Sequence, residues 1–197
     1  MHGNATSAQA ESRQGPQPDF LGEGARTSWE VDAELPIAGS VELPISVAEL
    51  WQRFANVRGW PTWNPCMWTA TVTGGLSLAA GAPPREGQLL VWAFNPIQRR
   101  YLYRLPAIAT LVEVVPEQRM TWEVTLLPGM WARHTYWMEP LAGGGCRFGS
   151  WEVAEGPAYR LLRPFWLAHF RYVRRQSLIG ARRLAGSGRH RASSRRP

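Results

Sequence analysis

Two histidines, a glutamate and a tyrosine are the residues of this chain best suited to acid–base chemistry. His134 and His169 can each exchange a proton near neutral pH. Glu152 can orient one of the imidazoles, or act as a proton carrier itself inside an apolar pocket. Tyr136 or Tyr103 can donate a hydrogen bond to a carbonyl or to its enolate. Together these groups would serve an aldol-type ring closure followed by dehydration. The competing reading is that His134 and Glu152 satisfy each other, or the backbone, and only fix a sheet.

The elements that carry these side chains follow from the hydrophobic pattern. Residues 29–45 alternate loosely and read as an opening strand. Ser46 is a helix N-cap, with Glu49 three residues on, and Val47, Leu50, Trp51 and Phe54 then share one helical face. The segment WPTWNP (60–65) sets two tryptophans between prolines, a rigid aromatic corner rather than a helix interior. Strands follow at Met67–Thr73, Leu89–Phe94, Ile108–Val115, Met120–Leu126, Trp131–Glu139 and Cys146–Val153, with Arg100–Leu105 pairing at an edge. A Gly/Pro-rich loop at 74–87 and turns at Pro116-Glu117, Pro128-Gly129 and Gly143–Gly145 separate them. The pattern is an antiparallel meander.

Strand alternation puts His134, Tyr136 and Met138 on one face. Met120, Trp122 and Val124 share a face of the strand before, and Phe148, Ser150 and Glu152 a face of the strand after. Gly156-Pro157 opens a helix of about 25 residues. Its apolar face carries Leu161, Phe165, His169, Tyr172, Val173, Gln176 and Ile179, with arginines opposite. His169 and Gln176 are polar groups where a packed helix favours leucine, so each needs a partner from the sheet or from a cavity.

Composition narrows the function. The chain has 197 residues, enough for one domain with tails, and eleven tryptophans among 45% hydrophobic residues. Every one of the 22 basic residues is arginine. Residues 1–170 carry a net charge of −2, while residues 171–197 hold nine arginines and no acid. The basic character therefore belongs to a C-terminal extension and not to the body, which argues against nucleic acid as a partner. It leaves room for a weak contact with an anionic membrane or an acidic carrier protein. Arg99, Arg100 and Arg104 form a smaller basic group. Cys66 and Cys146 show no CxxC spacing and read as free thiols. Residues 1–28 have no apolar signal region and read as disordered, and no run approaches the ~20 apolar residues of a membrane span, so a cytoplasmic location is expected.

Three segments together, WPTWNP, EVVPEQRMTWEV (113–124) and RHTYWMEPLAGGGCRFGSWEVAEG (133–156), resemble the START-like superfamily, also labelled SRPBCC. The polyketide cyclase/dehydrase and lipid-transport group is the most similar. The resemblance spans residues 35–185. It implies an α+β helix-grip fold: a curved antiparallel β-sheet wrapped around a long C-terminal α-helix, with two short helices after the first strand. The chain pattern places the domain at 29–185 and a disordered Arg-rich tail at 186–197, and the resemblance implies a deep apolar cavity between sheet and helix. It also decides strand parity, turning Trp122, His134, Tyr136 and Glu152 inward. Trp63, Trp92, Tyr103, Arg104, Trp122, Phe148, Phe165 and Val173 are then expected to bind the ligand. The family's ligands are hydrophobic, and some members cyclise, aromatise or dehydrate them, so the expected roles are a cofactor-free enzyme or a lipid or quinone-like carrier or sensor. Neither a cofactor nor a metal site is expected.

Overall fold

Alternating burial sets up the first strand: Ile37, Val41 and Leu43 of β1 (Ile37–Leu43) turn into the core. The computed structural model describes residues 35–74, 82–97, 104–127 and 129–186. Expectations for residues 1–28, for most of the Gly/Pro-rich loop, for Arg99, Arg100 and Tyr103, and for the tail after Gly186 lie outside the described residues.

Helix α1 (Val47–Phe54) begins where the sequence places it, because the Ser46 side chain accepts from the Glu49 amide at 3.2 Å. Its apolar face buries Leu50, Trp51 and Phe54. A 3-10 turn at Val57–Gly59 leads to α2 (Trp60–Trp63), a single helical turn with Pro61 in its first positions. The WPTWNP corner is thus itself helical, because proline costs nothing where the amide has no partner anyway. Trp60 is fully buried and its Nε1 donates to the Phe54 carbonyl at 2.7 Å.

Six further strands follow: β2 (Met67–Thr73), β3 (Leu89–Phe94), β4 (Leu105–Val115), β5 (Arg119–Leu127), β6 (Met130–Pro140) and β7 (Cys146–Glu155). All pair antiparallel in one sheet of order β1-β7-β6-β5-β4-β3-β2. Leu105 therefore begins β4 rather than ending a separate edge strand. The inward faces of β5, β6 and β7 bury Met120, Trp122, Val124, His134, Tyr136, Met138, Phe148, Ser150 and Glu152. At the end of β7, Gly156 has φ 110°, and a Cβ there would lie 1.9 Å from the Gly129 carbonyl oxygen.

The C-terminal helix is not continuous. Helix α3 (Pro157–Leu161) stops at Leu162, and α4 (Arg163–Gly186) starts anew. Pro164 explains the break: inside one helix its ring would clash with the Arg160 carbonyl. The buried face of α4 also differs from the expected one. It runs through Trp166, Phe170, Val173, Ser177, Ala181 and Leu184, turned by about one residue, roughly 100°. Leu161 is 82% exposed, while Phe165, Tyr172, Gln176 and Ile179 are half-buried. Small residues carry the closest contact, and a count of large apolar residues does not register them. A Cβ at Gly180 would sit 2.6 Å from the Trp63 carbonyl oxygen and 3.2 Å from Asn64 Cα. Arg53 of α1 donates to the Leu184 carbonyl, and Arg174 donates to the Ala38 carbonyl at 2.8 Å, holding both ends of the contact.

Gly180→Ala is expected to push α4 off the α2 corner and cost about 1–3 kcal/mol in urea denaturation. Gly186→Ala, where an added Cβ meets nothing within 4 Å, is expected to change stability by less than about 0.5 kcal/mol.

Candidate functional site

Between the concave sheet and α4 lies a cavity of about 40 Å³. Its wall is Trp92 and Phe94 of β3, Trp122 and Val124 of β5, Ala132, His134 and Tyr136 of β6, Glu152 of β7, and His169, Phe170 and Val173 of α4, with Cys66 and Met67 at the start of β2. The space suffices for a few water molecules and is far below the ~300–1,000 Å³ of a pocket that encloses a drug-sized ligand.

Register brings the polar groups together. Trp122 lies opposite His134, His134 opposite Glu152, and Tyr136 opposite Ser150. The Trp122 ring stacks on the His134 ring, centroids 4.6 Å apart and planes 13° from parallel. His134 Nε2 is 3.1 Å from Ser150 Oγ, and Nδ1 is 3.4 Å from Glu152 Oε2 without hydrogen-bond geometry. The arrangement in which Ser150 donates to Nε2 and the Nδ1 proton faces the carboxylate fits both neighbours. Glu152 Oε2 is buried, and among the described residues no donor bonds it.

His169 stands across the cavity with Phe94 packed against its ring at 5.0 Å. Its Nδ1 hydrogen-bonds the Pro96 carbonyl, which can only accept, so the proton is on Nδ1 and Nε2 is a lone-pair acceptor. Burial lowers its pKa, opposed by the Glu152 charge and the Pro96 bond and assisted by His134. His169 is neutral at physiological pH.

Tyr136 is committed elsewhere. Its hydroxyl pairs with Ser177 Oγ on α4 at 2.5 Å, and Asn64 Nδ2 donates to the same Ser177 oxygen at 3.3 Å. Asn64 Oδ1 accepts in turn from the Cys66 amide and from its thiol, at 3.2 and 3.0 Å. Burial raises the Tyr136 pKa and pushes the Cys66 thiol up to about 12. Neither is an anion or a nucleophile at neutral pH. Among the described residues no three His, Cys, Asp or Glu side chains are grouped to hold a metal ion.

Seven sequence-predicted residues therefore line the cavity: Trp92, Trp122, His134, Tyr136, Glu152, His169 and Val173. Four described ones do not. Trp63 packs against Gly180 and Phe54 as part of the core, because α4 approaches most closely there. Phe148 lies behind Tyr136, at 5.2 Å, and edges onto Phe54. Phe165 sits half-buried beside Trp166, since the helix face is turned from the expected one. Arg104 is exposed, with its guanidinium 3.5 Å above the Trp68 ring. Cys66, Met67, Phe94, Ala132 and Phe170 were not anticipated as lining. The Asn64–Ser177 bridge was not anticipated either, and its sequence signal is faint: a polar residue after Trp63 and a serine at the small-residue seam of α4.

A family model for polyketide cyclase / dehydrase and lipid transport matches residues 35–186. No curated protein matches the chain by sequence. Several solved structures share its fold. A Thermus thermophilus protein aligns with TM-score 0.59 and 12% identity, over 78% of this chain and 98% of its own. The di-domain ARO/CYC protein StfQ of the steffimycin biosynthetic pathway aligns with TM-score 0.57 and 15% identity, over 80% of this chain and 51% of its own. A START superfamily protein from Mycobacterium smegmatis aligns with TM-score 0.51 and 13% identity, over 78% of this chain and 95% of its own. With the helix-grip architecture and a family match over most of its length, the chain belongs to the polyketide cyclase/dehydrase and lipid-transport family of START-like proteins.

Proposed function

We propose that the protein binds an aromatic, carbonyl-bearing hydrophobic molecule in this cavity and moves a proton on it without a cofactor, as in a cyclisation or dehydration. One observation carries the proposal: Glu152 Oε2 is a buried, unbonded acceptor in a wall otherwise made of rings and aliphatic groups. Such an atom is costly unless a ligand or an ordered water completes it, and a ligand that displaces the water must supply the same bond. Glu152 takes the proton, and His169, neutral with Nε2 as acceptor, is the second exchanger. His134 is the positioning residue, held by Ser150 and facing the carboxylate. Tyr136 braces β6 against α4 through Ser177 rather than touching the reacting atoms. The StfQ likeness supports the same class of chemistry. The ligand enters by displacing Trp92, the one wall residue that is only half-buried.

A carrier is the second reading. It is favoured by the partners already assigned to Tyr136, Cys66 and His134, which leave little reactive wall. A carrier must also meet a surface that supplies its cargo. Leu161 and Leu162, 82% and 44% exposed, sit between Arg160 and Arg163, and α4 adds the exposed Arg175 and Arg182. Exposed apolar groups flanked by cations, with further arginines along the same helix, suit an anionic bilayer. Leu161→Asp is expected to reduce co-sedimentation with vesicles containing phosphatidylserine by about tenfold, since it removes an apolar anchor and adds a repelled charge.

The two readings separate in one pair of measurements. N-phenyl-1-naphthylamine fluorescence is expected to rise on binding in either case. Only the enzyme is expected to accelerate hydrogen–deuterium exchange at the carbons next to the carbonyl of 2-tetralone, followed by NMR. Glu152→Gln is expected to lower that exchange rate by roughly 10²–10⁴-fold while probe binding persists. Probe binding with no exchange in the native chain leaves the carrier.

His169 also sets a pH dependence. Its folded-state pKa lies below the ordinary 6.5. Below that pH the unfolded chain binds a proton that the folded chain refuses, so stability falls as the pH drops from 6.5 toward the depressed value. One such proton gives a slope of at most about 1.4 kcal/mol per pH unit. Chemical denaturation through this window, above the carboxylate range, is expected to show a shallower slope in His169→Gln.

A further inference from the structure

The two acceptors that the cavity wall offers a ligand are Glu152 Oε2 and His169 Nε2. Glu152 is 8% exposed, and its Oε2 has no hydrogen-bond donor among the described residues. His169 spends its proton on the Pro96 carbonyl, so Nε2 accepts. Of the groups able to donate, the Tyr136 hydroxyl is engaged with Ser177 and the Cys66 thiol with Asn64; the other donors of the wall are neutral N–H groups, His134 Nδ1–H facing Glu152 and the indoles of Trp92 and Trp122, and none is a cation. Among the described lining residues there is no arginine, and the chain has no lysine. On β6, Arg133 has the opposite parity to His134 and pairs with Glu123 on the other face of the sheet. Arg104 lies over Trp68.

We infer that the cavity selects a neutral aromatic ligand bearing an O–H donor, a phenol or an enol, and rejects the corresponding carboxylate. The inference rests on the ligand-binding reading above and adds the charge class of the ligand. An O–H aimed at Glu152 Oε2 supplies the missing bond, and a bond to a charged acceptor is stronger than a neutral one. The same group on a ring places the ring among Trp92, Phe94 and Trp122. A carboxylate in that position meets a second carboxylate, with no arginine to neutralise either, in a medium that screens poorly. Fatty acids and acyl phosphates fall on the rejected side of this rule. Free phenols, enolised polyketone rings and quinols fall on the accepted side.

Three probes that share one ring system test it by displacing N-phenyl-1-naphthylamine at neutral pH: 2-naphthol, naphthalene and 2-naphthoate. The native chain is expected to bind 2-naphthol about tenfold or more tightly than either of the others, because only the naphthol donates to the buried acceptor. In Glu152→Gln, shown to be folded by circular dichroism, the naphthol-to-naphthoate ratio is expected to fall to about threefold or less, because the repelled charge is gone. Equal binding of naphthoate and naphthol by the native chain overturns the inference, and that comparison needs no variant. Naphthalene displacing the probe as well as naphthol overturns it too, while leaving the ligand site standing. Failure of the probe and of all three naphthalenes overturns the ligand site with it.

Discussion

The close approach of α4 to the α2 corner governs this fold. Helix and corner meet where the helix offers Ser177, Gly180 and Ala181 instead of large side chains. At Gly180 the gap is too small for a methyl group. That contact fixes the rotation of α4 about its axis. Rotation in turn decides that Trp166, His169, Phe170 and Val173 look into the sheet while the arginines look out. The Tyr136–Ser177–Asn64 chain locks the same seam with hydrogen bonds, reaching from β6 through the helix to the residue after Trp63. The seam lies in the C-terminal half of α4 and His169 in its N-terminal half. A rigid anchor in one half thus sets the position of the His169 imidazole in the other.

Pairing rules then sort the polar residues into two groups. Buried hydroxyls, amides and thiols need partners, and Tyr136, Ser177, Asn64, Cys66 and Ser150 have them. Satisfaction by protein makes them structural. The indole N–H groups of Trp63 and Trp166 and the Glu152 carboxylate break the pattern, and at Glu152 the neighbour His134 comes to 3.4 Å yet forms no hydrogen bond. The same histidine stacks on Trp122, so the ring cannot swing closer without losing that contact. An incomplete carboxylate beside a clamped imidazole marks the place where chemistry or recognition would occur.

Much of this was legible in the chain. Strand alternation identified the inward triplets of β5, β6 and β7, because a period of two leaves only two choices, and the family likeness chose between them. Ser46 and Glu49 marked α1 because N-cap chemistry is local. The helix face was misjudged because hydrophobic counting rewards Leu161 and Phe165 and overlooks Ser177 and Gly180. The break at Leu162 was written in Pro164, but a proline near a helix start is usually harmless, and only the preceding turn shows which rule applies. Trp63 and Phe148 read as ligand contacts because aromatic size suits both core and pocket. What assigns them to the core is three-dimensional: the distance to Phe54 and to α4.

Cavity size and family membership are reconciled by how the interior is filled. Rings occupy it: Phe54 against Trp60 at 5.3 Å, Trp60 against Trp122 at 5.8 Å, Trp122 against Tyr136 at 5.3 Å. Tilted and edge-on pairs of this kind have shallow preferences between arrangements, so an aromatic guest can replace one ring contact with another at small cost. On the proposed reading Trp92 is the ring exchanged: it is half-buried at the wall with Phe94 and Trp122 beside it. A filled aromatic interior with one incompletely bonded carboxylate is thus consistent with a site that opens for a flat guest. On the proposed reading a flexible charged chain is a poor fit, since it would need both volume and a buried cation. Arginine is abundant in this protein, yet none lines the described wall. Arg53, Arg104, Arg133 and Arg174 lie on or beside the elements around it. Each is instead engaged elsewhere, with a carboxylate, a carbonyl or a ring.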